Sequence, residues 1–238
     1  MKKNIKALLY SLLCLSAGAA YGQIQNPPAS NVLGTEDIWE NPTFVGGITN
    51  GGTTAFSEWW NGVAALDSAN NRLITNSVNE IRIYQLDEEG LPASRTAEYV
   101  IGAPSRAGRG RHSPGLTTRS EGAFLNGFAY DGVNHRLFVR DSTVNAWQPR
   151  GRILVFDVHP DRVEDGPDAI AVLGQPDFTS YLMGGVGPSE MGSIDQEALD
   201  EKNQRLFITD RANHRIMVWD IHPERLNEAP DAMVVLGQ

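Results

Sequence analysis

The sequence predicts an all-β protein built from a repeated unit of antiparallel strands. The motif D-x-x-N-x-R-L occurs three times, beginning at Asp67, Asp131 and Asp200, at spacings of 64 and 69 residues. Each copy has an apolar-containing run before it and a β-branched run after it, which is typical of two strands joined by a turn. The ends of the units also repeat, as short apolar runs that finish in glycine. Repetition of this kind indicates units that bury their apolar faces against one another.

The repeated motif itself predicts a hairpin turn between the first and second strands of each unit. Asp and Asn side chains bond nearby backbone amides and tolerate unusual backbone angles, so they are favoured in such turns. In the third copy, the runs RLFITD and HRIMVWDI are separated by Arg211, Ala212 and Asn213. This spacing predicts that the second and third strands also pair antiparallel.

Two further runs complete each unit. The third strands are expected at 80–86, 151–158 and 214–221, where apolar residues fall on both faces, as in a strand packed on two sides. The fourth strands are expected at 97–102, 170–174 and 233–237. Each unit therefore has four predicted strands.

Four strands per unit, repeated every 60 to 70 residues, predict a β-propeller of four-stranded antiparallel blades rather than a sandwich. The expected domain is 23–238, with a lone outer strand at 31–34 and blades at about 61–102, 126–174 and 195–237. Because about three blades are present, we expect a C-terminally truncated propeller. Its open blade edges would permit self-association.

The first 22 residues are expected to be a secretory signal. Lys2, Lys3 and Lys6 precede an apolar run over 7–20, and small residues follow it. Cleavage is expected before Gln23, with Ala19 as the alternative last residue of the signal. The run is too short to span a bilayer comfortably, so the mature protein is expected to have no membrane span and to be secreted or periplasmic.

The mature chain is acidic and free of thiols. The single cysteine, Cys14, lies within the signal, so no disulfide is expected. Removing the three signal lysines leaves 17 basic against 29 acidic residues, a net charge of about −12, with Lys202 as the only lysine. Such a charge disfavours binding to a phosphate backbone, so nucleic acid is not an expected partner.

Long segments between units, at 35–61, 103–126 and 176–196, are the expected location of function. Each contains a Ser-Glu pair, which places Glu58, Glu121 and Glu190 in these loops, and Asp195 follows the last. These carboxylates could hold Ca²⁺ or another divalent cation, or sugar hydroxyls, around a channel mouth. Alternatively, each pair caps a turn by bonding backbone amides.

Two other groups are candidate ligand contacts. Arg109, Arg111 and His112 concentrate positive charge in the second loop and could bind a carboxylate or phosphate; alternatively the loop is simply solvated. Trp59 and Trp60 could stack on a sugar, or pack against the next blade.

No catalytic residue is assigned, because the sequence contains no serine elbow, no glycine-rich phosphate loop and no Cys/His cluster. No set of metal ligands is assigned either. The recurring charges are interpreted as a structural lattice between strands or blades, since partly buried arginine needs such partners. These residues are Arg72, Arg136, Arg205, Asp141 and Asp210.

The stretch DRANHRI, from Asp210 to Ile216, together with RLFITD and VWDI, resembles NHL-repeat proteins, whose blades carry D-x-x-N-[HN]-R-[IV]. The second unit keeps this pattern at 136–141 and 152–157 with an insertion, whereas the first has Asn76 where Asp is expected and Glu80 near the signature arginine. The resemblance covers the chain from about Val32 onward.

The resemblance implies a propeller, usually six-bladed, with a surface for binding proteins or other ligands. Some NHL-like propellers are enzymes, including an amidating lyase and lactonase-like relatives with metal ligands around the channel, but no such ligand can be matched here. We therefore expect a binding module for a protein, carbohydrate or small ligand. The alternatives are an extracellular metal-assisted hydrolase or lyase, and a structural unit that assembles to complete a ring.

Overall fold

The computed structural model describes residues 63–77, 80–94, 97–102, 123–143, 151–178, 180 and 185–237. These residues form twelve β-strands and one 3-10 turn, Arg211–Asn213, without an α-helix. The predicted all-β class is confirmed. The expected signal and the lone outer strand at 31–34 lie outside the described residues.

The strands form three four-stranded antiparallel sheets, each with its strands in chain order. Sheet 1 consists of β1 Ala64–Asp67, β2 Arg72–Ser77, β3 Glu80–Gln85 and β4 Tyr99–Ile101. Sheet 2 consists of β5 Ala123–Asp131, β6 Arg136–Thr143, β7 Gly151–Asp157 and β8 Ala171–Leu173. Sheet 3 consists of β9 Ile194–Asp200, β10 Arg205–Asp210, β11 Arg215–Asp220 and β12 Val234–Leu236. Each sheet is thus one repeat of the sequence.

The D-x-x-N-x-R-L motif forms the turn between the first two strands of every sheet, as predicted. The motif asparagine bonds the motif aspartate, as when Asn70 Nδ2 donates to Asp67 Oδ2 at 2.9 Å. The residue after the asparagine has left-handed backbone angles, with φ of 50–52° at Asn71, His135 and Gln204. Left-handed angles at this residue let the chain reverse direction between two paired strands. The bond between the motif asparagine and aspartate stabilises the turn.

Buried ion pairs hold two of these turns. Arg72 and Asp67 approach to 2.6 Å, and Arg136 and Asp131 do the same in sheet 2, all four side chains being almost fully buried. The third copy differs, because Arg205 pairs with Asp220 on the third strand. The charged lattice expected from the sequence therefore consists of pairs within each sheet.

The pKa values of the motif aspartates reflect these pairs. Burial raises the pKa of Asp131, but bonds from Arg136 and Asn134 outweigh burial and hold this pKa below its ordinary value. The same balance, with Arg72 as the main bonding partner, lowers the pKa of Asp67. Both carboxylates are consequently charged at neutral pH.

Successive sheets pack face to face through apolar side chains. One core cluster joins sheets 1 and 2, with Ile74, Ile81 and Ile83 against Leu137, Leu154 and Phe156. A second joins sheets 2 and 3, with Phe138, Ile153 and Val155 against Leu206, Met217 and Trp219. Sheet 2 is therefore covered on both faces, which explains the apolar residues on both sides of its third strand.

Polar contacts fix the same interfaces. Gly166 N donates to Val100 O at 2.8 Å between sheets 1 and 2, and Val172 N donates to Glu228 O at 2.7 Å between sheets 2 and 3. In the second interface, Arg140 forms a buried pair with Glu197 at 2.7 Å. The sheets are thus held in register as well as packed.

Strand register corrects one detail of the sequence interpretation. The fifth residue after the motif arginine is Asp141 in sheet 2 and Asp210 in sheet 3, but in sheet 1 it is Ser77, opposite Glu80. Asn76, which was expected to replace the aspartate, instead lies one residue earlier, where its Oδ1 accepts a bond from Val63 N. Sheet 1 therefore lacks the second Asp-Arg pair of the other two sheets.

The lowered pKa of Asp131 predicts an acid dependence of stability. A depressed folded-state pKa contributes stability that is complete above the unfolded value of about 3.9 and is lost as the pH falls through the folded value. We expect Asp131→Asn to lower the free energy of unfolding at pH 7 by about 3 kcal/mol, since it leaves a buried arginine unpaired. The variant should also lose less stability than the wild type between about pH 5 and pH 2.

Urea unfolding at several pH values measures both effects. Asp200→Asn is the matched control, because Asp200 holds the same motif position but its arginine pairs with Asp220. Equal losses for the two variants at pH 7 would contradict a special role for the buried pair.

Candidate functional site at the loop end of sheet 3

The two ends of each sheet differ in what they carry. The turns of the D-x-x-N-x-R-L motif lie at one end, here called the turn end. At the other, the loop end, β10 ends at Asp210, β11 begins at Arg215, and segment 185–193 approaches before β9. The loop end of sheet 3 is the part of the expected functional surface that the structure describes most fully.

Arg215 fastens the segment to the sheet. Its guanidinium pairs with Asp210 at 2.9 Å, and both side chains are fully buried. The remaining guanidinium N–H groups donate to backbone carbonyls of the segment, at 2.6 Å for Val186 and 2.7 Å for Glu190, with longer bonds to Gly185 and Gly187. One arginine thus satisfies four carbonyls that a loop would otherwise expose to water.

The other signature residues complete this anchor. Asp210 accepts a bond from Gly192 N at 3.1 Å and one from Asn213 Nδ2 at 2.8 Å. Asn213 also donates to Gly185 O. The signature D-x-x-N-x-R is therefore a loop anchor as well as a strand connection.

Sheet 2 anchors the beginning of the same inter-sheet segment. Arg152 pairs with Asp141 at 2.7 Å, both buried, and donates to Phe178 O at 2.6 Å. The described parts of the connection from sheet 2 to sheet 3 are therefore pinned near both of its ends.

Of the nine candidate ligand contacts, the structure describes only Glu190 and Asp195. Glu190 Oε2 accepts a bond from Gly187 N within its own turn at 3.2 Å. Asp195 is exposed and faces Arg211, with 3.5 Å between carboxylate and guanidinium. The other seven, Glu58, Trp59, Trp60, Arg109, Arg111, His112 and Glu121, lie outside the described residues. Within the described part of the chain, no three His, Cys, Asp or Glu side chains are grouped to hold a metal ion.

Exposed side chains of mixed character surround the anchor. The side chain of Arg211 is 67% exposed, and its backbone N–H and Nη2 bond the carbonyl and hydroxyl of Ser193. Val186 is 67% exposed, although its carbonyl is held by Arg215. Sequence reasoning missed both residues, because Arg211 occupies a variable position of the signature and Val186 lies among glycines.

A groove of about 570 Å³ runs from this surface onto the adjoining face of sheet 3. Asp195, Thr209, Arg211 and His214 line its loop end, and Ile216, Leu236 and Gly237 line its apolar end. It therefore joins a charged rim to an apolar sheet face.

Three of the four described histidines, His135, His159 and His222, lie in turns at the turn end. His135 and His159 meet edge to face with ring centroids 4.9 Å apart. The Nδ1 atom of His159 accepts a bond from Asp161 N, and that of His222 accepts one from Glu224 N.

Comparison with known proteins yields distant structural similarity alone. No family model and no curated protein matches the sequence. Among solved structures, a luciferin-regenerating enzyme matches over 70% of this chain and 44% of its own, with 13% identity and a TM-score of 0.39. A putative 6-phosphogluconolactonase from Bacteroides uniformis matches over 74% of this chain and 56% of its own, with 13% identity and a TM-score of 0.35. The chain thus spans about half the length of these structures.

Among the residues that the structure describes, none forms a helix of the length and apolarity that crossing a membrane requires.

The anchor predicts a specific effect of replacing Arg215 by lysine. Arg215→Lys retains the charge beside Asp210, but a lysine has only three donors and lacks the planar fork that spans four carbonyls. We expect amide hydrogen exchange in segment 185–192 to accelerate at least about tenfold, because local opening becomes about 1.4 kcal/mol easier.

Hydrogen exchange with mass spectrometry measures this change. Arg205→Lys is the matched control, because Arg205 lies in the same sheet and bonds Asp220 and Gln204 O at the turn end. Unchanged exchange in Arg215→Lys would show that the segment is held by other contacts.

Proposed function

We propose that this chain is part of a secreted, NHL-type β-propeller that acts as a protein-binding module, with the loop end as its binding surface. The three serially packed four-stranded sheets support the propeller, since such sheets are its blades. The basic and apolar N-terminal sequence supports secretion.

The observation that carries the proposal is the anchoring of the inter-sheet segment by Arg215 and Arg152. A loop held by buried ion pairs loses little conformational entropy when a partner binds, so its exposed residues are preorganised for recognition.

The exposed chemistry of this surface fits a polypeptide partner. Arg211 and Asp195 offer charges of both signs, and Val186 adds an exposed apolar side chain on the anchored segment. Protein interfaces combine an apolar or arginine-containing centre with a polar rim in this way.

Selection of a displayed random peptide library on the purified chain tests the proposal. Affinities of the selected peptides are then measured against Arg211→Ala and Val186→Ser. We expect each substitution to weaken binding about tenfold or more, since central arginine and apolar contacts each contribute 1–2 kcal/mol or more.

Matched controls lie at the turn end. Arg225→Ala removes an equally exposed arginine, and Val133→Ser removes an equally exposed valine, far along the strands from the loop end. Selected peptides that are insensitive to the loop-end variants, or that depend on the control residues, would contradict the proposed surface.

A further inference from the structure

The three sheets present equivalent forward faces, meaning the face that each sheet turns toward the next repeat. Strand registers align these faces residue by residue. The forward face of sheet 2 carries Phe138, Ile153, Val155, Ala171 and Leu173. The same positions in sheet 3 carry Phe207, Ile216, Val218, Val234 and Leu236. Four of the five positions therefore hold the same amino acid in both sheets.

These faces differ in burial although their chemistry is the same. Sheet 3 fully buries this face of sheet 2, and sheet 2 buries the forward face of sheet 1 apart from Tyr99, which is partly buried. In sheet 3, Val218 is buried, but Ile216 and Val234 are each 39% exposed and Leu236 is 47% exposed. A row of exposed β-branched and leucine side chains on a regular sheet face marks an interaction surface.

The groove continues the same equivalence. In sheet 2, the left-handed Gly174 lies against the side chain of Met191, and Gly174 O accepts a bond from Met191 N at 3.0 Å. Its counterpart in sheet 3 is Gly237, also with positive φ, and Gly237 lines the open groove. Gly237 in the groove of sheet 3 therefore corresponds to Gly174 of sheet 2, which Met191 of the following repeat covers.

The turn end gives an independent indication. Tyr130 of sheet 2 bonds the Asp67 carboxylate of sheet 1, and burial together with this bond raises the pKa of Tyr130. Gln204 of sheet 3 bonds both Asn134 and Arg136 of sheet 2. The turn motifs of sheets 1 and 2 are thus each bonded by a residue of the following sheet. In sheet 3, the motif arginine Arg205 is partly exposed and pairs with Asp220.

We propose that the forward face of sheet 3 binds the rear face of a fourth four-stranded unit of the same repeat pattern, carried by a polypeptide segment outside residues 63–237. The established interfaces define its chemistry: large apolar residues at the positions of Leu206, Met217 and Trp219, and a methionine-like residue at that of Met191. The described sheets of a second copy supply little of this face, because Tyr84 and Val100 on the rear face of sheet 1 are already buried and Leu66 is its one apolar side chain that is more than half exposed among the described residues.

The interface between sheets 2 and 3 contains a buried ion pair that the interface of sheet 3 with a fourth unit would lack. Arg140 on the forward face of sheet 2 pairs with Glu197 of sheet 3, but sheet 3 has Thr209 at the position of Arg140. A carboxylate at the Glu197 position of the fourth unit would be buried without a cation. The fourth unit therefore carries a neutral residue at this position.

The test extends the full chain by a second copy of residues 176–237, attached after Gln238, with Glu197→Leu in the added copy only. In a Cys14→Ser background, Leu236→Cys of the original unit reports coverage of the forward face through its rate of labelling by a thiol reagent. Leu91→Cys, with similar exposure in the segment between β3 and β4, is the matched control.

We expect the added unit to slow labelling of Leu236→Cys at least tenfold and to leave Leu91→Cys unchanged. Retaining the glutamate in the added copy should restore most of the labelling rate, and Thr209→Arg in the original unit should then slow labelling again. Equal labelling with and without the added unit would overturn the proposal, as would indifference to the charge at these two positions.

A second arm uses the unextended chain and is independent of whether the added unit folds. Labelling of Leu236→Cys should be fast and independent of protein concentration, and light scattering should show no dimer formed through this face. Protection that increases with concentration and is abolished by Ile216→Asp would overturn the proposal, because the face would then bind a second copy of the chain.

Discussion

Buried pairs of aspartate and arginine are the interaction on which the described structure depends. In residues 63–237 they occur at the turn end as Asp67 with Arg72 and Asp131 with Arg136, and at the loop end as Asp141 with Arg152 and Asp210 with Arg215. Each pair joins a strand end to a turn or loop. Removing one partner of such a pair costs about 3–5 kcal/mol, because the other charge remains buried. The pairs therefore determine where the strands end.

Packing between sheets supplies the cohesion that a single unit lacks. A four-stranded sheet with two apolar faces buries them only against neighbours, so stability accrues through the interfaces between sheets 1 and 2 and between sheets 2 and 3. The same arrangement brings successive loop ends to corresponding positions, and Arg152 and Arg215 fix the segment between them. The scaffold and the proposed binding surface thus depend on the same residues.

The strands and hairpins could be predicted because their signals are local. Alternating apolar residues and the motif at Asp67, Asp131 and Asp200 set the strand pairs without knowledge of the rest of the chain. The partners of the signature residues could not be predicted in this way, because Arg215 bonds backbone carbonyls 25 to 30 residues away. Every residue has a backbone carbonyl, so the sequence does not indicate which of them an arginine bonds. The correction from Asn76 to Ser77, by contrast, could have been made by counting five residues from the motif arginine in each copy.

The central claim is that one face of sheet 1 and one face of sheet 2 are each buried by the next repeat, and two isoleucines at the same repeat position test it most directly. Ile153 of β7 is fully buried between sheets 2 and 3, whereas Ile216 of β11 lies on the uncovered face of sheet 3. Urea unfolding should show a loss of about 2–5 kcal/mol for Ile153→Ala, as for a buried isoleucine in a packed core. Ile216→Ala should lose less than half as much. Equal losses at the two positions would contradict serial packing of the sheets.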